Sequence, residues 1–255
     1  MRYLVGVMCV CALGAIPLIG CDENGGEGGS GGTAGTGGMG GTGGTGGAIT
    51  TAVTAVITGY DPAQGGFLGP LEGVELCIVE TGDCLLTNAE GSVTTEAPVG
   101  QEISVTFERE GYMPYLIPFV VPETPTTFTL GMGSLSRFEF LYGLVMSPYP
   151  PEGTGSIVIT ADPPIAGVTF ALSDATAKAF YYDEEGNWDA DLTETTSWGW
   201  GGFTEVSPGE VQVEIGGAAQ GCTSTAGWPG DVENTFIMPI RAGYNNQISV
   251  ICNAP

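Results

Sequence analysis

The sequence contains no histidine, and this absence removes several kinds of active site. A Ser-His-Asp triad, a Cys-His pair and histidine metal ligands are all excluded. A pair of carboxylates, as in glycoside hydrolysis, is the catalytic arrangement that the composition still allows. We therefore expect that the protein is not an enzyme, with a carboxylate-dependent glycan hydrolase as the remote alternative.

Cationic residues are scarce. The chain of 255 residues has 5 Lys plus Arg against 29 Asp plus Glu, which gives a net charge of −24. Nucleic-acid binding requires cations that displace counterions from phosphate, so we expect no nucleic-acid partner. The same charge repels an anionic membrane surface, so a lipid rather than charge would have to hold the protein at a membrane. Solubility is one role for such a charge, and cation binding is another.

Long apolar runs are also missing. Residues 4–16 are apolar and follow a positively charged start, but they are fewer than the roughly 20 residues that span a bilayer. This pattern is typical of a secretory signal. The run Leu18-Ile19-Gly20-Cys21 resembles the bacterial lipobox, which implies that a signal peptide at residues 1–20 is removed and that Cys21 is lipidated. An ordinary signal peptide with a chance cysteine is the alternative.

The lipidated cysteine predicts an exported protein that is lipid-anchored to the cell envelope. We expect the outer membrane or the cell surface, with the periplasmic face of the inner membrane as the alternative, because Asp22 resembles the retention signal of enteric bacteria. Residues 24–47 are rich in glycine and have no apolar pattern. Residues 21–47 are therefore predicted to be the anchor and a disordered, flexible Gly-rich tether.

Four cysteines remain after the predicted anchor. An even number in an exported protein predicts disulfide bonds. Cys77 and Cys84 flank the turn-forming stretch Thr81-Gly82-Asp83, so we expect them to staple a hairpin, which leaves Cys222 to pair with Cys252. A zinc site made of the four cysteines is the competing interpretation, although no C-x-x-C pair supports it.

From residue 48 onward, short runs alternate apolar and polar residues, with Pro, Gly, Asn and Asp between them. The pattern predicts an all-β chain, built as one or two antiparallel β-sandwich domains of the transthyretin or immunoglobulin type. A Gly-Met-Gly punctuation suggests a first domain at residues 48–132 and a second at 133–255. Residues 138–145 are read as a strand, because no window shows a sustained helical stripe.

Residues 71–121 resemble the carboxypeptidase regulatory-like domain, a small transthyretin-like β-sandwich. The residues that carry the resemblance are the strand Gly73-Val74-Glu75-Leu76, the turn Thr87-Asn88-Ala89-Glu90-Gly91 and the corner Glu110-Gly111-Tyr112. The second half is similar to the same family more loosely, in Gly167-Val168-Thr169-Phe170 and in Val206-Ser207-Pro208-Gly209. The resemblance implies a structural or binding module and no particular ligand.

The densest acidic run of the chain suggests calcium. Oxygen ligands at alternate positions suit a hard cation, and no EF-hand pattern is present. An acidic loop that faces solvent is the alternative. The candidate ligands are Asp183, Glu185, Asn187, Asp189 and Asp191.

Aromatic residues crowd the same region. Trp198-Gly199-Trp200 would place two indoles on one face of an extended strand, about 6.5–7 Å apart. One interpretation is a flat platform that binds a glycan by ring stacking, and the other is that the same rings pack in the core, as aromatic residues usually do. The candidate contacts are Trp188, Trp198, Trp200, Tyr181 and Tyr182.

The sequence as a whole thus predicts a non-enzymatic surface lipoprotein that binds a glycan or another envelope protein. The alternative is a structural spacer with no ligand. The expected partners are the membrane, through the lipid anchor, and that glycan or protein. No cofactor is expected, unless calcium orders the acidic loop.

Overall fold

The computed structural model describes residues 49–61 and 66–253. They belong to one compact unit, Ala48–Pro255. The predicted signal peptide, the lipidation site at Cys21 and the glycine-rich tether lie outside the described residues. Among the described residues, no helix combines the length and the apolar character needed to cross a bilayer.

Strand formation follows the alternation in the sequence. The first strand, Thr50–Asp61, alternates Thr with Val, Ala and Ile, and its burial alternates along its whole length. Val53, Ala55 and Ile57 are at most 3% exposed, while Thr54 and Val56 between them are partly exposed. β-branched side chains fit such a half-buried, pleated surface.

Within the described ranges the chain forms 18 strands and one helix. The strands before the helix are β1 (Thr50–Asp61), β2 (Gly66–Pro70), β3 (Glu75–Ile78), β4 (Cys84–Leu86), β5 (Ser92–Pro98), β6 (Glu102–Glu108), β7 (Tyr115–Val120) and β8 (Thr126–Gly133). The helix is α1 (Leu135–Leu144). The strands after it are β9 (Gly155–Asp162), β10 (Val168–Leu172), β11 (Lys178–Tyr182), β12 (Trp188–Asp189), β13 (Trp200–Val206), β14 (Gly209–Gly217), β15 (Gln220–Ala226), β16 (Trp228–Pro229), β17 (Thr235–Ile240) and β18 (Asn245–Asn253).

The described strands form three sheets. A first outer sheet pairs β1 with β2, β5 and β8, and a second outer sheet has the order β10-β14-β17-β16. The central sheet has ten strands. Nine follow the order β12-β11-β13-β9-β18-β7-β6-β3-β4, and the tenth, β15, pairs with β18 outside this order. The predicted all-β fold class is confirmed, and most strand pairs are antiparallel, but the sheets are mixed, because β1 runs parallel to β8, and β18 runs parallel to both β7 and β9. Parallel partners lie far apart in sequence, so a local pattern does not reveal them.

Two apolar cores lie against the central sheet. The first core fills the space between the first outer sheet, α1 and the central sheet, and the second core lies between the central sheet and the second outer sheet. Strand β9 contributes to both, since Val158 belongs to the first core, whereas Ile157 and Ile159 belong to the second. Neighbouring residues of a strand point to opposite faces, so the two cores cover opposite faces of this strand.

The predicted division between residues 132 and 133 falls directly before α1. Most of the first core comes from residues before this point, and all of the second core comes from residues after it. However, Phe180 and Trp188 of the second half pack into the first core, and β18 pairs with β7 across the division. Two domains with this boundary therefore stay a prediction.

The strand predicted at residues 138–145 is wrong, because this segment lies in and just after α1. Ser134 caps the helix, with its Oγ accepting a hydrogen bond of 3.2 Å from the N–H of Arg137. The buried residues Phe138, Leu141, Tyr142 and Val145 have the spacing i, i+3, i+4, i+7 of one helix face. Exposed Leu and Phe residues on the opposite face of α1 make the helix look apolar all round, so its buried stripe does not stand out in the sequence.

Both predicted disulfides are confirmed. Cys77 and Cys84 join β3 to β4, and Cys222 and Cys252 join β15 to β18. In both bonds the Cα atoms are 4.1 Å apart, as expected for directly opposed residues of an antiparallel pair. With all four sulfur atoms in these bonds, the competing zinc site is excluded.

Candidate functional site

The candidate aromatic residues are carried mainly by β11, β12 and β13, which are neighbours at one end of the central sheet. Tyr182 is paired with Trp188, and Phe180 with Gly202. Phe180, Tyr182, Trp188 and Trp200 therefore share one face of the sheet, and Tyr181 lies on the other face. The five candidates are thus divided between the two sides of the sheet.

Trp188 lies in the first core and is only 2% exposed. Its ring stacks on Phe180, with centroids 4.0 Å apart and an angle of 18° between the planes. From α1, Phe138 approaches edge-on at 6.0 Å, and Tyr142 approaches at 5.4 Å. The expectation of a ligand contact at Trp188 is wrong, because the helix that the sequence did not predict covers this ring.

Tyr181 belongs to the second core and is 3% exposed. Its ring stacks on Phe170, with centroids 5.5 Å apart, and its hydroxyl accepts a 3.0 Å hydrogen bond from the N–H of Phe170. Strand alternation turns this ring away from the other candidates. A contact with the same ligand as Trp198 and Trp200 is therefore also wrong for Tyr181.

Three of the candidates remain partly exposed. Trp200 meets Tyr182 edge-on at 5.3 Å with an angle of 83°, and it meets Trp198 at 5.6 Å with an angle of 60°. Gly199 has a φ of +68° and its N–H donates to the Thr196 carbonyl, so Trp198 lies in a turn before β13. Because this turn rotates the two indoles relative to each other, the predicted flat platform does not form. The three rings make an interlocked rim at the surface, and we call Tyr182, Trp198 and Trp200 the aromatic rim.

Trp198 is held over the turn that joins β11 to β12. Its Nε1–H donates to the Glu184 carbonyl at 3.2 Å, and the neighbouring Ser197 hydroxyl donates to the Glu184 carboxylate at 2.8 Å. A Cβ added to Gly186 would lie 3.4 Å from the indole. The ring thus packs one face against the turn and leaves limited surface for a ligand.

Two carboxylates of the acidic run accept hydrogen bonds from the N–H groups of residues that follow them closely in the chain. Asp183 Oδ1 accepts hydrogen bonds from the N–H groups of Glu185 and Asn187, at 3.0 and 2.7 Å. Asp189 Oδ1 accepts a hydrogen bond from the N–H of Asp191 at 2.8 Å. Such contacts are typical of Asx turns, which form without a cation.

No three carboxylates of the acidic run, which the structure describes in full, lie close enough to share one metal ion. Among the described residues, the one group of three Cys, Asp or Glu side chains close enough to share a metal ion is Glu75 with Cys77 and Cys84. Those two cysteines are joined in a disulfide and have no thiolate to offer. The acidic loop therefore matches the solvent-facing alternative better than a calcium site.

Arg137 of α1 is a residue that the sequence analysis missed. Its Nη2 donates to the Gly186 carbonyl at 2.9 Å, so it fastens the helix to the turn that carries Trp198. The guanidinium group also lies 5.4 Å from the ring centre of Phe140. Only recognition of the helix, from the spacing of its buried residues, would have placed Arg137 beside this turn.

The tyrosines beneath the aromatic rim do not provide a base. Burial raises the pKa of Tyr142 to about 12, and burial also raises the pKa of Tyr115. Both phenols are therefore neutral near pH 7. The site offers partly exposed rings, carboxylates of the turn that include Glu184, and no activated nucleophile among the described side chains around it.

No protein-family model and no curated protein matches the sequence. The resemblance to the carboxypeptidase regulatory-like domain and the lipoprotein assignment therefore both stay predictions.

Among solved structures, the chain is similar to the minor pilin GBS52 of Streptococcus agalactiae at 12% identity and a TM-score of 0.28, over 80% of this chain and 96% of that one. It is similar to the major pilin BcpA of Bacillus cereus at 10% identity and a TM-score of 0.28, over 81% of this chain and 100% of that one. For the TIE protein of Bacillus anthracis the identity is 14% and the TM-score 0.26, over 80% of this chain. The match spans about a third of that protein, 34% of its length. Similarity at these TM-scores shows neither the fold nor the function of this chain.

Proposed function

We propose that residues 49–253 form a non-enzymatic structural module of the cell envelope, attached to the membrane by a lipid on Cys21. The observation that supports this most is the position of Trp188, which is 2% exposed between Phe180 and α1. Two of the five candidate rings, Trp188 and Tyr181, are thus part of the cores. The two disulfides support the same role, because they fasten the edge strand β4 and the strand β15 to their neighbours.

A second candidate function is glycan binding at the aromatic rim. Tyr182, Trp198 and Trp200 are partly exposed. The Glu184 carboxylate is held near Trp198, because it accepts a hydrogen bond from the hydroxyl of the neighbouring Ser197. Aromatic faces and a carboxylate are groups that contact the apolar and hydroxyl sides of a sugar. The edge-to-face arrangement weakens this candidate, since it presents ring edges where a stacked sugar needs a face.

The two functions are separated by a titration of the full-length protein with a panel of bacterial envelope glycans, with and without calcium. Tryptophan fluorescence reports binding near the aromatic rim. The structural role predicts no saturable change with any glycan. Saturable binding that Trp198→Ala and Trp200→Ala abolish in a calorimetric titration, whose signal does not depend on the indoles, and that the matched control Trp228→Phe retains, would instead establish the glycan function.

The anchor is tested separately. The mass of the N-terminal peptide of the mature protein should correspond to a chain that begins at Cys21 and carries lipid. In Cys21→Ser, the protein should leave the membrane fraction while its fold is unchanged. A mature chain that begins elsewhere and carries no lipid would contradict the proposed anchor, while the proposed structural role of residues 49–253 would stand.

A further inference from the structure

Strand β4 is an edge of the central sheet, and all three of its residues are exposed. Leu85 is 43% exposed and Leu86 is 64% exposed. Proteins usually protect a sheet edge with a charged residue, a proline or a β-bulge. The sequence Cys84-Leu85-Leu86 has neither a charge nor a proline, and its pairing with β3 is regular. The edge is short, but otherwise it is open.

The backbone of β4 also offers unpaired groups. The Ile78 N–H donates to Asp83, and the Thr87 N–H donates to Val74, both at 3.0 Å. In an antiparallel ladder hydrogen-bonded pairs alternate with pairs that are not hydrogen-bonded, so Cys84 and Leu86 belong to the second kind. Their N–H and C=O groups point away from β3, and among the described strands β4 pairs with β3 alone. This arrangement is a template for one more strand.

The Cys77–Cys84 disulfide holds this template in place. It links β4 to β3 at one of the pairs that is not hydrogen-bonded. A strand that is already fixed loses less conformational entropy when a partner binds, so the staple favours recognition of an extended segment.

The charge beside the edge is acidic. Across the sheet, Leu86 is paired with Glu75, and Glu75 is paired with Glu108, so the three side chains form a row on one face. Like charges directly opposite each other are unfavourable in a sheet. The row borders an open cleft of about 570 Å³, which is also lined by Glu110 and by one cation, Arg109. A cationic side chain from a strand beside Leu86 would relieve the repulsion between Glu75 and Glu108.

We propose that β4 binds an extended, basic segment of another protein by β-strand addition. The backbone of the segment pairs with the outward groups of Cys84 and Leu86. Its apolar residues lie on the face of Leu85, and on the opposite face a Lys or Arg side chain beside Leu86 reaches Glu75. Strand addition gives affinity through main-chain hydrogen bonds, and the side chains give selectivity. This inference is independent of the proposed structural function.

A second copy of this chain is a poor occupant for the same edge. Antiparallel pairing of two β4 strands would bring two copies of the Glu75–Glu108 row together, and each chain has a net charge of −24. The described part of each chain has only four cations. Arg109, Arg137 and Arg241 lie over aromatic rings, and Lys178 forms an ion pair with Glu205. Charge complementarity therefore favours a basic partner.

The test is a calorimetric titration of the full-length protein, with both disulfides formed, against a short peptide that alternates lysine and valine. Two control peptides are used. One has the same sequence with alternate amides N-methylated, which keeps the charge and prevents strand pairing, and one has glutamate in place of lysine. Binding of the first peptide should be saturable, should weaken between about 0.05 M and about 0.5 M salt, and should be at least tenfold tighter than that of either control.

Three variants locate the site. Leu86→Pro removes an outward N–H without removing a β3–β4 hydrogen bond, and it should weaken binding about fivefold. Leu86→Ala keeps the N–H and shows how much of that loss is due to the side chain. Glu75→Gln should reduce the salt dependence. If Leu86→Pro fails to fold, hydrogen exchange of the Cys84 and Leu86 amides in the wild type replaces it, because strand addition must protect both.

The proposal is overturned by any of three results. Equal binding of the lysine–valine peptide and its N-methylated control would show adsorption by charge alone. Absence of binding at millimolar peptide would show that the edge accepts no such strand. Dimers that Leu86→Pro dissociates would show that a second copy occupies β4.

Discussion

At the scale of single residues, Asp174 shows how a surface carboxylate acts as a structural acceptor. Its Oδ1 accepts hydrogen bonds from the hydroxyl and the N–H of Thr176, at 2.6 and 2.9 Å, and its Oδ2 accepts one from the N–H of Ser207 at 2.7 Å. The Thr176 hydroxyl, followed by the N–H groups of Ser207 and Thr176, holds the pKa of Asp174 well below its ordinary value. The carboxylate thus connects the loop after β10 to the turn before β14.

We predict that Asp174→Asn is less stable than the wild type by on the order of 1 kcal/mol at pH 7, because charged acceptors form the stronger hydrogen bonds and exposure to water reduces the effect. A lowered pKa means that folding favours the ionised form. Its contribution is therefore complete above the ordinary Asp pKa of about 3.9 and is lost as the pH falls below it. Urea unfolding at several pH values measures this difference. A difference that stays constant down to about pH 2 would contradict the assignment.

Trp188 and Trp198 form a matched pair for testing burial. Trp188→Ala should lower the free energy of unfolding by about 3–5 kcal/mol, because it leaves a cavity between α1 and β11. Trp198→Ala removes a partly exposed ring and should cost about 1 kcal/mol or less. Denaturant titrations of the two variants measure the contrast. Equal losses would mean that the surface turn contributes to stability as much as the first core does.

At the scale of secondary structure elements, the two disulfides should differ in effect. The loop closed by Cys222 and Cys252 spans 30 residues of sequence separation, and the loop closed by Cys77 and Cys84 spans 7. In the chain-entropy model, removal of the first pair costs about 3.7 kcal/mol and removal of the second about 2.5 kcal/mol. Double Cys→Ala variants followed by thermal unfolding test this order. The reverse order would mean that the Cys77–Cys84 bond stabilises more of the structure than the β3–β4 hairpin alone.

Elements with clean alternation could be predicted from the sequence. Val74, Leu76 and Ile78 share one buried face, as their spacing indicates, and Asn88 accepts the N–H groups of Glu90 and Ser92 in the predicted turn. Strands β4 and β15 were missed, because one is short and the other is rich in Thr, Ser and Gly. Both are fixed by a disulfide and by neighbouring strands, which are tertiary contacts that propensity does not encode.

The candidate site was less predictable than the strands. Five aromatic residues close in sequence suggested one surface, but strand alternation sends Tyr181 to the second core, and α1 covers Trp188. The disposition of Trp198 depends on Gly199 in the left-handed region. Which ring is covered is decided by elements distant in sequence, so composition alone could not separate core from surface.

At the scale of the whole molecule, the central sheet connects the two cores. Asn245 lies where β7, β18 and β9 meet, is 1% exposed, and accepts a 2.8 Å hydrogen bond from the Ser156 hydroxyl. Its N–H donates to the Pro114 carbonyl at 2.8 Å. Buried polar groups that are satisfied in this way fix one arrangement of the strands. The two halves should therefore depend on each other for stability.

A comparison of fragments tests the contribution of α1 and the predicted domain boundary together. A fragment of residues 48–132 lacks α1, whereas a fragment of residues 48–147 includes it with its four core side chains. We predict that the longer fragment unfolds at a higher urea concentration, because α1 covers apolar surface of the first core. Equal midpoints for the two fragments would contradict a role for α1 in the first core and would support a boundary at residue 132.

The most direct test of the structural role is the accessibility of Trp188 to acrylamide. A variant with Trp198→Phe, Trp200→Phe and Trp228→Phe keeps Trp188 as its single indole, since the chain has 4 Trp. Fluorescence quenching of this variant should be several times weaker than that of the urea-unfolded variant, because the ring lies between Phe180 and α1. Quenching as strong as in the unfolded chain would place Trp188 at the surface and contradict the proposal that the aromatic residues build the core.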